Sequence, residues 1–141
     1  MTSDAQSARI LTDAVAALLA KAEGDPSVLA VILFGSAARG ESGPMSDADL
    51  CLVLEPAVSG QGVSPDVRLA YLAASPGDRM DVRVFQRLPL YVQQRVLQDG
   101  RVLFCRDEPR LYELAYRTVQ AFEDYRPRYR RYLDEVAHAR P

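Results

Sequence analysis

Seven consecutive apolar residues, Val28–Phe34, constrain the fold of this chain more than any other feature. Turn-forming residues bound the run on both sides, and its length is typical of a strand rather than a helix. A strand that has no polar face is buried on both sides. The run therefore predicts an inner strand of a sheet that helices cover on both faces.

The other elements follow from hydrophobic periodicity and from the positions of Gly and Pro. Three more strands are predicted, at about 49–54, 80–85 and 102–105. Helices are predicted at about 4–23, 67–74 and 89–98, and again from 108 to 137 with an interruption at Arg126-Pro127. This order predicts an α/β (or α+β) fold in which helices flank a small mixed sheet.

Length and composition predict one domain over residues 1–141, with a core at about 27–106 and C-terminal helices at about 107–138. The chain is 48% hydrophobic and 26% charged, close to an average globular protein. Its net charge of -2 gives no reason to expect nucleic-acid binding. No apolar run approaches the roughly 18 residues that span a bilayer, and Met1–Arg9 lacks the pattern of a signal peptide. We expect a cytoplasmic protein without a membrane partner.

Cysteine and histidine offer little chemistry here. Cys51 and Cys105 each lie in an apolar segment without a partner at metal-ligand spacing, so we expect buried, reduced thiols. The single histidine, His138, lies three residues from the C-terminus and is expected at the surface. Metal or acid–base chemistry in this chain would therefore depend on carboxylates.

Two aspartates at the start of the second predicted strand form a candidate metal site. Asp47 and Asp49 are two residues apart, so their side chains project from the same face. Two carboxylates this close repel each other unless a cation lies between them. Oxygen ligands suit Mg²⁺, which completes its coordination with water and substrate phosphates. The alternative is a solvated turn, because Asp pairs are common in turns.

A candidate phosphate site follows the first strand. Gly35 lets the backbone turn sharply and lets a ligand approach closely, and Ser36 adds a hydroxyl donor. The next residues can open a short helix whose free N–H groups favour an anion. Arg39, near its end, is expected either to act at the triphosphate or at a partner surface, or to remain an exposed cation. No lysine follows the glycine, so this is not a P-loop.

A third carboxylate, Asp81, begins the next predicted strand. Placed beside Asp47 and Asp49, it could bind a second metal ion and accept the proton of an attacking hydroxyl. Arg83 shares its strand face if the alternation holds, and is expected either to neutralise Asp81 or to meet the acceptor. The alternative for Asp81 is the polar position of an edge strand.

The string Gly35-Ser36, ten residues, then Asp47-x-Asp49 resembles the signature of the DNA polymerase β-like nucleotidyltransferase superfamily. The fuller string, with Ala38-Arg39-Gly40 and Ser46 through Leu50, is similar to its minimal branch. The likeness extends from about Val28 to the C-terminus. It implies a polymerase β-like fold and transfer of a nucleoside monophosphate.

This resemblance also implies a substrate and a partner. Members of the minimal branch are commonly antitoxins encoded beside HEPN-domain RNases, and such an antitoxin can transfer AMP from ATP onto a tyrosine of the toxin. Asp47, Asp49 and Asp81 would be the catalytic metal ligands, for two Mg²⁺ or Mn²⁺ ions, and Gly35, Ser36 and Arg39 would bind the nucleotide. Two alternatives stay open: an antitoxin that acts by binding alone, and a transferase for a small molecule such as an aminoglycoside.

The C-terminal segment 125–132 alternates tyrosines with arginines. One interpretation is RNA binding, with bases stacked on the rings and phosphates held by the cations. The interpretation that we favour starts from the helical spacing of Tyr125, Tyr129 and Tyr132, which predicts packing or a protein interface.

Overall fold

The computed structural model of the protein describes residues 2–35, 48–56, 66–74 and 80–139. Its helices are α1 (Thr2–Glu23), α2 (Asp66–Ala74), α3 (Leu90–Asp99) and α4 (Glu108–His138). Its strands are β1 (Val28–Phe34), β2 (Ala48–Leu54), β3 (Met80–Val84) and β4 (Arg101–Cys105), and a single 3-10 turn covers Phe85–Arg87. None of the described helices is both long and apolar enough to cross a membrane.

The four strands form one mixed sheet in the order β3-β2-β1-β4. β1 pairs antiparallel with β2 on one side and with β4 on the other. β3 pairs parallel with β2, and helix α2 lies between these two strands in the chain. A parallel pair needs such a crossover because its strands start from the same end of the sheet. The predicted mixed sheet flanked by helices is confirmed.

The apolar run of β1 lies at the centre of two hydrophobic clusters, one on each face of the sheet. Val28 and Val31 pack on one face with residues of α1 and α2. Leu29 and Ile32 pack on the other with residues of α3 and α4. Each fully buried aliphatic side chain of this kind contributes about 1.5–3 kcal/mol of transfer free energy. The two-sided burial of β1 that the sequence predicts is confirmed.

Two predicted element boundaries are wrong. The third strand ends at Val84, because Phe85 leaves the sheet in the 3-10 turn, with its side chain fully buried among the second cluster. The predicted C-terminal helices are one 31-residue helix that continues through Pro127. Proline removes the hydrogen bond to the carbonyl four residues earlier, that of Glu123, but Glu123 is exposed and water can replace the missing donor.

Arg106, just after β4, fastens the C-terminal end of α1 to the sheet. Its Nη2 lies 3.0 Å from the carbonyl oxygens of Ala22, Glu23 and Asp25, and its Nε donates to the carbonyl of Val28 at 3.1 Å. The last carbonyls of a helix have no partner within the helix, and a cation there also interacts favourably with the helix dipole. Arg106 supplies both the missing hydrogen-bond donors and the positive charge.

Replacing Arg106 with Met should therefore lower the free energy of unfolding by about 2 kcal/mol, since it leaves several carbonyls without their charged donor. Urea denaturation followed by circular dichroism measures this. The matched control is Arg131→Met on α4, an exposed side chain whose loss should cost less than about 0.5 kcal/mol. Equal unfolding midpoints for the two variants would contradict this role of Arg106.

Asp25 connects the turn before β1 to helix α2. Its Oδ1 accepts hydrogen bonds from Ser27 N at 3.0 Å and Ser27 Oγ at 2.6 Å, and its Oδ2 accepts one from Tyr71 Oη at 2.8 Å. Partial burial raises the pKa of Asp25, but the hydrogen bonds from Ser27 and Tyr71 outweigh it and hold the pKa below its ordinary value of 3.8. The folded state therefore favours the charged form of Asp25.

This shift makes stability depend on pH in one direction. The stabilisation from Asp25 is present above the ordinary pKa and is lost as pH falls through the lower folded-state pKa, because the unfolded chain then binds the proton more readily. We expect Asp25→Asn to be less stable than the unmodified chain at pH 7 and to lose less stability between about pH 5 and pH 2. Urea denaturation at a series of pH values tests this, with the exposed Asp124→Asn as a control whose pH profile should not change.

Candidate active site

Asp49 and Asp81 are directly opposite each other on neighbouring strands. The parallel register of β2 and β3 makes their Cα atoms partners, and paired strands lie about 4.8 Å apart. Each is the second residue of its strand, so both lie at the same end of the sheet. The sequence predicted that these two acids would be neighbours, and the backbone register agrees.

Both acids also project from the same face of the sheet. In β2 the residues on either side of Asp49, Ala48 and Leu50, belong to the cluster under α1 and α2. In β3 the flanking residues Met80 and Val82 belong to that same cluster. Because side chains alternate along a strand, Asp49 and Asp81 point to the opposite face, on which α3 and α4 pack.

Gly35, at the end of β1, completes this corner of the sheet. Its φ of 78° lies in the left-handed region that favours glycine. A Cβ atom at this position would lie 2.5 Å from Asp49 Oδ2. The missing side chain therefore leaves the space that the Asp49 carboxylate occupies, and the backbone of Gly35 lies directly beside that carboxylate. The sequence pattern predicted a nucleotide contact for Gly35 and gave no sign of this contact with Asp49.

Two arginines contact the carboxylate of Asp81. Arg68 of α2 lies 2.9 Å from its Oδ1, and Arg83 of β3 lies 3.0 Å from its Oδ2. Partial burial raises the pKa of Asp81, but the hydrogen bonds and charges of Arg68 and Arg83 outweigh it and keep the pKa below its ordinary value. Asp81 is therefore ionised at neutral pH. The predicted neutralisation of Asp81 by Arg83 is confirmed, whereas Arg68 was missed.

A cleft of about 260 Å³ adjoins Gly35, between the end of β1 and helix α3. Tyr91, Arg95 and Asp99 of α3 form its polar side, and Phe34 with valines of α3 forms its apolar side. The ring of Tyr91 is stacked on Tyr129 of α4, with centroids 5.3 Å apart. Tyr91 and Arg95 were not among the predicted site residues, although their i,i+4 spacing places them on one face of a helix.

The tyrosines of α4 divide into packed and exposed ones. Tyr129 also lies near Tyr125 and Phe122, which confirms the predicted packing for that part of the segment. Tyr132 is 59% exposed.

Of the cysteines, Cys51 is buried, and burial raises its pKa to about 12, as expected of an unreactive thiol. Cys105 is only half-buried, which corrects the prediction of two buried thiols.

Three predicted site residues, Ser36, Arg39 and Asp47, lie outside the described residues. Of the predicted metal ligands, Asp49 and Asp81 can be tested for fit. Their carboxylates lie on one face of the sheet, at the end where both strands begin. They lie beside a glycine whose missing Cβ makes room for Asp49. Carboxylate oxygens in this arrangement are the ligands that Mg²⁺ takes in phosphate chemistry. By its chemistry this donor set suits a divalent cation. The described residues contain no group of three such ligands, and Asp47 lies outside them.

Replacing Gly35 with Ala should destabilise the chain by about 1–2 kcal/mol or more, because alanine is strained at positive φ and its Cβ meets the Asp49 carboxylate. Gly24→Ala is the matched control: a Cβ there would meet its nearest atoms at an ordinary 3.8 Å, without a positive φ. We expect Gly24→Ala to change the unfolding midpoint little. Thermal or urea denaturation of both variants would contradict the Gly35 contact if their midpoints agreed.

Comparison with known proteins gives a consistent family. The family model described as "Polymerase beta, Nucleotidyltransferase" matches residues 17–109. A Methanocaldococcus jannaschii protein named "putative protein adenylyltransferase" is 32% identical over 103 residues, which cover 73% of this chain and 76% of that protein. The matched residues include β1, β2, β3 and β4, so the similarity covers the whole sheet.

Two solved structures share the fold at low sequence identity. A chain of a toxin–antitoxin complex crystallised with AMP-PNP has a TM-score of 0.69 at 18% identity, covering 88% of this chain and 96% of that chain. A chain from a complex of a tri-AMPylated Shewanella oneidensis HEPN toxin with its MNT antitoxin has a TM-score of 0.66 at 16% identity, covering 92% and 98%. By its family match and its archaeal relative, this chain is a nucleotidyltransferase and belongs to the polymerase β nucleotidyltransferase family.

Proposed function

We propose that this chain transfers AMP from ATP to a hydroxyl group of a protein, namely a tyrosine of a HEPN-domain RNase toxin, and thereby acts as an antitoxin. The observation that carries the transfer step is the pairing of Asp49 with Asp81 on one face of the sheet, beside Gly35. Two carboxylates next to a sharp glycine turn can hold a cation and leave room for a phosphate to approach the backbone.

The reaction is a substitution at the α-phosphorus of ATP. The oxygen of the acceptor hydroxyl forms a bond to this phosphorus while the bond to the α–β bridging oxygen breaks, and pyrophosphate leaves with the electron pair. The hydroxyl proton passes to an oxygen of the Asp81 carboxylate, which is ionised, and from there to water.

In the proposal Asp47, Asp49 and Asp81 hold Mg²⁺, or Mn²⁺ in its place, and two ions would be bound during turnover. Bound to the triphosphate, the cation would offset the negative charge that builds up on the attacking and leaving oxygens. Gly35 and Ser36 would hold the leaving phosphates, with Arg39 as a further cation. Arg95 in the cleft beside Gly35 places another guanidinium within the same corner.

The nature of the acceptor is supported by the relatives rather than by a residue of this chain. The archaeal relative is named for protein adenylyl transfer. The solved structures of similar fold include an antitoxin bound to a HEPN toxin that carries AMP groups, and a complex with an ATP analogue. These names favour a protein acceptor and ATP as the donor over a small molecule such as an aminoglycoside.

Asp49→Asn should slow AMP transfer by about 100-fold to 1000-fold, because it removes a charge from the reacting centre while keeping the shape that fits beside Gly35. The measurement is the intact mass of the proposed partner, a HEPN-domain protein, after incubation with the chain, ATP and Mg²⁺. We expect a gain of one or more AMP units with the unmodified chain. The exposed Asp124→Asn is the matched control and should transfer AMP normally.

Two results would replace this proposal with another function. A stable complex with the HEPN-domain protein and no gain in mass would indicate an antitoxin that acts by binding alone. Pyrophosphate release that depends on an added aminoglycoside, with no AMP on the protein, would indicate a small-molecule transferase. Transfer that is equally fast with Asp49→Asn and Asp47→Ala would contradict the assignment of the carboxylates.

A further inference from the structure

Arg68 reaches Asp81 from the other side of the sheet. Helix α2, which carries Arg68, packs through Tyr71 into the cluster that it shares with α1. Asp81 projects from the opposite face, beside Asp49. This contact is available because β3 is an outer strand of the sheet, so that a long side chain can pass around its edge.

The guanidinium of Arg68 is held at two points. Its Nη2 donates to Asp81 Oδ1 at 2.9 Å, and its Nε donates to the backbone carbonyl of Val82 at 2.6 Å. Because the second acceptor belongs to the strand itself, the guanidinium keeps its place relative to the backbone that carries Asp81. A fork of donors in a fixed plane is a property of arginine that lysine lacks.

Arg83 contacts the same carboxylate in a different way. It reaches Asp81 Oδ2 with its Nε alone among the described contacts, from two residues along the same strand, and its side chain is 51% exposed. Each carboxylate oxygen has two lone pairs. The hydrogen bonds from Arg68 and Arg83 therefore leave lone pairs of Asp81 for a further ligand. They also restrict the directions in which these lone pairs point.

We infer that Arg68 is a positioning residue, which through its bonds to Asp81 and Val82 holds the Asp81 carboxylate in the orientation that shares a divalent cation with Asp49. This inference rests on the proposed function. Hydrogen bonds from neighbouring groups orient the ligands of metal sites in general, and removing one typically weakens metal binding by 10-fold to 100-fold.

The direction of the change in metal affinity on replacing Arg68 distinguishes a positioning role from a simple charge effect. A cation that merely lay near the site would repel the metal ion, so its removal would tighten metal binding. A residue that orients a ligand has the opposite effect. We expect Arg68→Gln to weaken Mn²⁺ binding by about tenfold, although it removes a positive charge. Arg68→Lys keeps the charge without the two-point geometry and should also bind Mn²⁺ more weakly than the unmodified chain.

The measurement is the concentration of free Mn²⁺, by electron paramagnetic resonance, in titrations of the full chain with α,β-methylene-ATP present, so that no turnover occurs. Arg117→Gln is the matched control, since Arg117 forms an ion pair with Glu113 at 2.7 Å, slightly shorter than that of Arg68 with Asp81, on the exposed surface of α4. It should leave Mn²⁺ binding unchanged. Thermal denaturation without metal identifies any variant that has lost its fold, in which case Arg68→Lys decides alone.

Asp49→Asn, titrated in parallel, separates the failure of this inference from the failure of the proposed function. If Asp49→Asn weakens Mn²⁺ binding while both Arg68 variants bind as tightly as the unmodified chain or more tightly, Arg68 has no positioning role. If Asp49→Asn and the unmodified chain bind Mn²⁺ equally, the metal site itself is wrong. Weaker binding by both Arg68 variants, with Arg117→Gln unchanged, supports the inference.

Discussion

The parallel pairing of β2 with β3 is the constraint on which the candidate site depends. A shift of the register by one residue would turn Asp81 to the face that α1 and α2 cover, where a charged group has no place. Apolar residues flank each acid and are buried, so the hydrophobic core holds the register and with it the position of the carboxylates. The packing that stabilises these two strands therefore also fixes the positions of Asp49 and Asp81.

Charge at this corner is balanced by groups from several parts of the chain. Asp81 is held by Arg68 from α2 and by Arg83 from its own strand. Two neighbouring carboxylates repel each other in the absence of a cation, so the arginines also stabilise the chain before any metal binds. Arg110 of α4 forms a similar ion pair at the other end of β2. Its Nη1 lies 2.7 Å from Oε2 of the buried Glu55, and this contact connects the strand to α4.

Local sequence patterns predicted what depends on one segment at a time. The apolar run located β1, the alternation located β3, and the aspartates at two predicted strand starts located the acidic pair, since each signal is contained in a few consecutive residues. Contacts between distant segments left no such signal: Arg68 is 13 residues from Asp81 and reaches it only because β3 is at an edge. Helix α4 continues through Pro127 because water can reach the exposed Glu123, whose carbonyl lacks its donor. The residues around that proline do not reveal this exposure.

The arginine that wraps around β3 has a consequence for how copies of this protein behave in a crowded solution. An outer strand presents backbone groups that can pair with a strand of another molecule, which is a common start of aggregation. Arg68 donates its Nε to the Val82 carbonyl and so occupies one acceptor of this short outer strand. A strand of another molecule would have to displace this bond before it could pair at Val82. The bond that holds the guanidinium beside Asp81 thus also removes one pairing group from the outer strand.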